Sequence, residues 1–413
     1  MKISKRLRRF ILLLAIIGPG IITATAGNDA GGTATYSIVG AHFGYNLLWL
    51  LMLTTFILII VQEMVARMGA VTGKGLSDLI REQFGIRWTF IAMSILLVAN
   101  IAVTVSEFAG IAASLEIFNV SKYISVPIVA FLIWYLIVRG SFKNVERIFL
   151  GVCLIYVSYL FAGFLAKPDW ITAFKHTVVP TIRFEPEYIR IMIALVGTTV
   201  TPWMQFFLQS NIVEKGISLK QYKYQRLDTI FGSISAGVIA FFIIIACAAT
   251  LHKAGIHIGS AEEAGLALKP LAGNFASYLF ALGLFGASTL GASILPLSSS
   301  YAICEAFGFE NGISKKFREA PIFYFLYTAL ILFGAGVILL PKISLIFVML
   351  LAQEVNGILL PFILIFIVLL VNNKRLMGPY VNSRWYNFVV WATTALLISL
   401  TLILITLPIL SKF

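Results

Sequence analysis

The sequence predicts an all-α integral membrane protein of about eleven transmembrane helices. Three observations predict it. Apolar residues make up 60% of the 413 residues and charged residues 12%, against about 45–50% and 25% in soluble domains. Apolar runs near the roughly 20 residues that span a bilayer follow one another with short polar breaks. The charges cluster in those breaks, so the net charge of +13 reads as a topology signal and not as a nucleic-acid surface.

The spans fall at about 10–40, 45–69, 89–115, 122–139, 147–166, 188–212, 228–251, 275–303, 321–340, 343–371 and 386–411. The basic start MKISKRLRRF followed by an apolar run resembles a signal peptide. No small-residue cleavage site follows, so it reads as an uncleaved first helix. That span is too long for one straight helix and carries GNDAGG near its middle. The stretch Val71–Phe84, VTGKGLSDLIREQF, reads as a short amphipathic interfacial helix after a glycine turn. With the N-terminus in the cytoplasm, 22 of the 31 Lys and Arg residues fall inside and 9 outside. This predicts a multi-pass protein of the cytoplasmic membrane with its C-terminus outside.

No composition shift marks a second domain, so 1–413 reads as one transmembrane domain. Span 1 is interrupted at Gly27–Gly32 and span 6 at Gly197–Pro202. Five spans separate the breaks, and five is odd, so two five-helix halves have opposite orientation. This predicts a 5+5 inverted repeat, repeat one at about 10–166 and repeat two at about 188–371, with an extra helix at about 386–411. Broken first helices in inverted repeats place a substrate at the breaks, near the bilayer midplane.

Charge inside a membrane is costly and needs a reason. Asp29 lies in the first break, where unwound backbone frees carbonyls and a carboxylate completes an oxygen-rich cation site. Its simpler role is the N-cap of the following half-helix, and the two roles are compatible. In the second break Pro202 opens the helix, and Thr198 and Thr201 offer hydroxyl oxygens, or only back-bond at a proline kink. Gln205 and Gln209 line a polar path or bond a neighbouring helix. Glu107, deep in span 3, lines an ion path or pairs structurally. Glu63 has Arg67 at i+4 and reads as a local ion pair. Gln353, Glu354 and Asn356 form a polar cluster in span 10, from which Gln353 is the candidate to complete an ion shell.

The four histidines, His42, His176, His252 and His257, lie in or beside predicted loops. Cys153, Cys247 and Cys304 are scattered through apolar runs, with no metal-site or disulfide spacing. The breaks thus offer oxygens, without the imidazole or sulfur that a transition-metal site recruits; Met204, just after the second break, is the exception. Metalloprotease, phosphate-loop and nucleophile-elbow motifs are absent, so neither an enzyme nor a bound cofactor is expected.

The stretch GPGIITATAGNDAGGTATYSIVGAHFGYNLLW resembles the first helix and the start of the second in the NRAMP family of divalent metal transporters. The similarity continues through QEMVARMGAVTGKGLSDLIREQFG and returns at the span-6 break and span 10, so it covers most of the chain. It implies the LeuT-like inverted-repeat fold. Manganese and iron carriers of the family have Asp-Pro-Gly-Asn in the first break; here Asp29 is kept, while Ala30 and Gly32 replace the proline and asparagine. Their sixth helix has Ala-x-x-Met-Pro-His; here Thr198, Thr201, Pro202 and Trp203 stand at those positions, and Gln209 falls near a later histidine. Glu107 matches a family glutamate, and Thr104 replaces the aspartate one turn earlier.

These departures resemble the NRAMP-related magnesium transporter branch. The metal positions implied are Asp29, Gly32, Thr198, Thr201 and Gln353, with Glu107, Trp203, Gln205 and Gln209 along the path. Loss of sulfur at Thr201 disfavours manganese against magnesium, and Gly32 is expected to add room for an ion that keeps several waters. The expected function is import of Mg²⁺, with Mn²⁺ tolerated and without proton coupling. Rivals are a proton-coupled manganese or iron transporter, a sodium-coupled amino-acid symporter, which the Asp29 charge disfavours, and a metal-sensing receptor, which the lack of a sizeable soluble domain disfavours. The lipid bilayer is the one other partner expected; oligomeric state is not legible.

Overall fold

The computed structural model describes residues 23, 26–139, 157–259, 261–266, 273 and 276–410. Regular structure among them is helical. Among the described residues, nine segments are long and apolar enough to cross a membrane. The other two expected spans, about 10–40 and 147–166, lie partly outside the described residues, as does Cys153.

Helix α1 (Ala30–Phe43) starts directly at the first break. Asp29 is its N-cap, in extended conformation, with its side chain accepting from Gly32 N. Helix α2 (Leu48–Thr72) follows after a short turn, then α3 (Leu76–Glu116). Within α3, Gly85 has φ 78°, a conformation natural only to glycine. It divides an interfacial segment, Leu76–Phe84, from the membrane-crossing part. The helix expected over Val71–Phe84 starts at Leu76, because residues 73–75 form the turn.

Helices α4 (Lys122–Arg139) and α5 (Val157–Leu165) lead to α6 (Trp170–Val178), which the span reading missed. Its signal was local: Asp169 caps it, accepting from Thr172 N at 3.2 Å and Thr172 Oγ1 at 2.6 Å, an Asp-x-x-Thr start. Expected span 6 is two helices, α7 (Pro186–Thr199) and α8 (Pro202–Glu214), with Val200 and Thr201 between them outside helical geometry. Helix α9 (Tyr222–Cys247) continues into a π-helical turn, Ala248–His252. After α10 (Ala261–Gly265) come α11 (Ala276–Phe307), α12 (Pro321–Ile338) and α13 (Leu345–Val371). The short α14 (Lys374–Met377) precedes α15 (Arg384–Leu410).

Helices α11 and α13 pack along α3, α13 along α7, and α9 along α1 and α2. Lipid supplies no hydrophobic force between helices, so close packing must hold them. At Gly197 a Cβ would strike the Gln353 carbonyl and the Gly357 backbone, so α7 and α13 touch backbone to backbone. At the end of α2, Arg67 and Glu63 form the expected ion pair at 3.3 Å. Arg67 also donates to Tyr380 O at 2.8 Å and Asn382 Oδ1 at 2.6 Å, and Tyr222 donates to Glu63. One buried pair thus ties α2 to α9 and to the segment before α15. Cys247 and Cys304 are buried free thiols.

Candidate functional site

The two breaks meet. A Cβ placed on Gly32 would lie 2.8 Å from Thr198 Oγ1, 2.7 Å from Gly27 O and 3.2 Å from Asp29 Oδ1. Gly32 is therefore not a source of room, as the sequence suggested: its missing side chain is already filled by the opposite break and by its own backbone. It serves the site instead through its N–H, which donates to Asp29 Oδ1 at 2.6 Å.

Asp29 is fully buried. One oxygen, Oδ1, accepts from Gly32 N and from Gln353 Nε2 at 3.2 Å. The other, Oδ2, meets no N–H or hydroxyl donor. Glu107 is also fully buried. Its Oε2 accepts from Ala30 N at 3.2 Å, its Oε1 meets no N–H or hydroxyl donor, and its carboxyl stands within hydrogen-bond reach of that of Asp29. Two carboxylates side by side in a low-dielectric interior repel, and a cation or a shared proton removes the repulsion.

Thr198 Oγ1, against Gly32 where the breaks meet, and Thr201 Oγ1, at the start of α8, are buried without a hydrogen-bond partner. Thr199 behaves differently, back-bonding to Leu195 O at 2.7 Å. The two candidate threonines are thus not the back-bonded hydroxyls of a simple proline kink. Gln205 donates to Thr201 O at 3.3 Å and leaves Oε1 unpartnered. Orphaned buried polar atoms are rare and call for an explanation. Here Thr198 Oγ1 and the Glu107 carboxyl stand near the buried Asp29 carboxylate, oxygen donors that suit a hard cation.

Gln353 is in the site, but its amide nitrogen and not its oxygen faces Asp29. Its Oε1 accepts from Asn356 Nδ2 at 3.0 Å. A flip of both amides turns the Gln353 oxygen toward Asp29 and brings Asn356 Oδ1, which has no partner, round to accept from the Gln353 NH₂. Trp203 is buried with its indole N–H unpartnered, and Ser298 Oγ donates to its carbonyl at 3.1 Å. Gln209 lies two turns further along α8, where it donates to Lys74 O at 2.8 Å. It ties α8 to the turn between α2 and α3, the neighbour-bonding role. Glu354, beside Gln353, is held by Arg190 of α7 through bonds of 2.9 and 3.2 Å. That pair joins α7 to α13.

A helical membrane chain with a buried carboxylate at one break, touching a second break across the bundle, is a transporter of the broken-helix class. The chain belongs to the Nramp family: the model of that family, natural resistance-associated macrophage protein-like, matches residues 20–407. The divalent metal cation transporter MntH of Bacillus subtilis is 26% identical over 417 residues, covering 97% of this chain and 94% of that protein. In fold the chain resembles a manganese transporter of Eremococcus coleocola. The TM-score is 0.79 at 20% identity, with 98% of this chain and 88% of the other covered. It also resembles Mhp1, a nucleobase–cation symporter, with a TM-score of 0.57 at 12% identity over 94% of this chain and 92% of the other.

Proposed function

We propose that this chain transports divalent metal cations, passing the ion through the Asp29 site between the two breaks. The observation that carries this is the fully buried Asp29 carboxylate at the first break, with the buried Glu107 carboxyl and the unpartnered Thr198 Oγ1 of the second break beside it. The names of the relatives support the same class of cargo.

Within that class, the names back manganese better than the magnesium expected from the site's residues. One observation keeps magnesium as a second reading. The donors at the breaks are oxygens, and the nearby sulfur of Met204 contacts Gln62 Nε2 at 3.6 Å instead of joining them. Oxygen ligands suit Mg²⁺, which keeps part of its water shell. Independence from protons belongs to this second reading. The reading also includes two five-helix repeats, about 10–166 and 188–371, in the cytoplasmic membrane with the N-terminus inside.

Purified protein in liposomes, offered Mg²⁺, Mn²⁺, Ca²⁺ and alanine in parallel, tests it. Saturable uptake of a divalent ion is expected, and the Mg²⁺/Mn²⁺ ratio decides between the two readings. Uptake of alanine alone, or of nothing, overturns the proposal.

A further inference from the structure

The end of α1 opposite Asp29 carries His42. Its Nδ1 stands 3.4 Å from Oε1 of Glu187, in the first turn of α7. The ring of His257, in the segment after the π-helical turn, lies edge-on to it with centroids 4.7 Å apart. His252, on that turn, holds Nδ1 against Ala41 O at 2.9 Å and also neighbours His42. Three parts of the chain far apart in sequence thus bring imidazoles and a carboxylate together.

His42 is poorly satisfied. Its contact with Glu187 is long for a hydrogen bond, and its Nε2 is buried with no partner among the described residues. A tetrahedral Zn²⁺ with bonds of about 2.0–2.1 Å sets donor atoms roughly 3.3 Å apart and the centroids of two bound imidazoles about 5 Å apart. The separations of 3.4 and 4.7 Å lie close to those values. The donors do not yet converge: no three His, Cys, Asp or Glu residues among those described form a ready metal cluster. Convergence needs rotation of two side chains, and both, His257 and Glu187, are exposed.

We propose that His42, His257 and Glu187 form a second, regulatory site for a transition-metal ion of the Zn²⁺ class. Imidazole donors select such ions over Mg²⁺ and Ca²⁺, unlike the oxygen set at Asp29. Because two of the ligands, His42 and Glu187, come from α1 and α7, each of which abuts a break, a bound ion clamps the two half-helices together. A ligand that binds one arrangement better shifts the population toward it, so occupancy slows transport. On the charge count this face is extracytoplasmic. The clamp rests on the transport reading; the site itself does not.

Two measurements test this separately. Asp29→Ala protein, with the transport site disabled, is titrated with Co²⁺ and back-titrated with Zn²⁺. One saturable site with the visible bands of tetrahedral Co²⁺ is expected, displaced by Zn²⁺ and lost when His257→Ala is added. The second is Mn²⁺ uptake by liposomes in the presence of Zn²⁺. His257→Ala and Glu187→Gln should each raise the half-inhibiting Zn²⁺ concentration by about tenfold or more and leave uptake without Zn²⁺ unchanged. No saturable site, or one indifferent to His257→Ala, overturns the proposal. A site that binds Zn²⁺ without inhibiting wild-type uptake overturns the clamp. If wild type moves no metal, the transport reading fails while the Co²⁺ titration still decides the site.

Discussion

The break before α1 is built around a charge, and the break between α7 and α8 around a proline. In the first, the carboxylate that caps the helix is the one that offers a free oxygen to the site. In the second, no side chain caps α8. Pro202 at its first position has no N–H to satisfy, and Thr198 and Thr201 keep their hydroxyls unpartnered. One break thus combines helix start and charge in a single residue, whereas the other separates helix start from donor. Substitutions in the first break are expected to end function, and those in the second to tune it.

The largest effect is expected at Asp29. Asn caps a helix as well as Asp does, whereas Ala costs about 1 kcal/mol at an N-cap. Asp29→Asn should therefore keep the wild-type melting temperature and lower metal uptake to that of empty liposomes. Asp29→Ala should lose uptake and some stability as well. Wild-type uptake by well-folded Asp29→Asn would mean that the residue is a cap and nothing more.

Next comes Gly32. A side chain there meets Gly27 O, Thr198 Oγ1 and Asp29 Oδ1, and overpacking costs typically about 1–3 kcal/mol. Gly32→Asn should lower the melting temperature and most of the uptake, instead of adding a useful ligand. A stable, active Gly32→Asn protein would show that the two breaks separate widely enough during transport to admit the side chain.

A smaller effect is expected at Thr201 in the second break. Thr201→Met removes a free hydroxyl and adds a soft sulfur, which favours Mn²⁺ over Mg²⁺. Competition uptake should shift toward Mn²⁺ by up to about tenfold, or about 1.4 kcal/mol, with total uptake largely kept. An unchanged ratio would remove Thr201 from contact with the ion.

Most of the helical plan was legible because bilayer-length apolar runs and glycine–proline interruptions are one-dimensional signals. Asp29 stood out because an acid inside an apolar run has to be explained. Helix α6 was lost because a nine-residue amphipathic helix has no bilayer-length run. The crowding at Gly32 was illegible for a different reason. Whether a missing side chain leaves space depends on what the opposite helix puts there, and Thr198 is 166 residues away in sequence. The Arg190–Glu354 and His42–Glu187 contacts are likewise products of packing, with 164 and 145 residues between partners.

The smallest expected effect is on protons. Coupling needs a group near the ion that exchanges a proton, and a relay that carries the proton away. The Asp29–Glu107 pair supplies the first. For the second, Trp203 and Gln209 on α8 do not titrate. Thr104, one turn before Glu107, donates to Asn100 O at 2.7 Å and offers no proton of its own. Imidazole, the side chain suited to the working pH range, gathers instead at the far end of α1, where His42, His252 and His257 lie. On the magnesium reading the expected outcome is metal influx into liposomes with no concurrent change in an internal pH dye. Glu107→Gln should then alter the rate of influx but no proton signal. Metal-dependent acidification that vanishes in Glu107→Gln would show that the carboxylate pair both releases and relays a proton. It would also decide for the proton-coupled manganese reading, with the first break supplying the coupling as well as the charge.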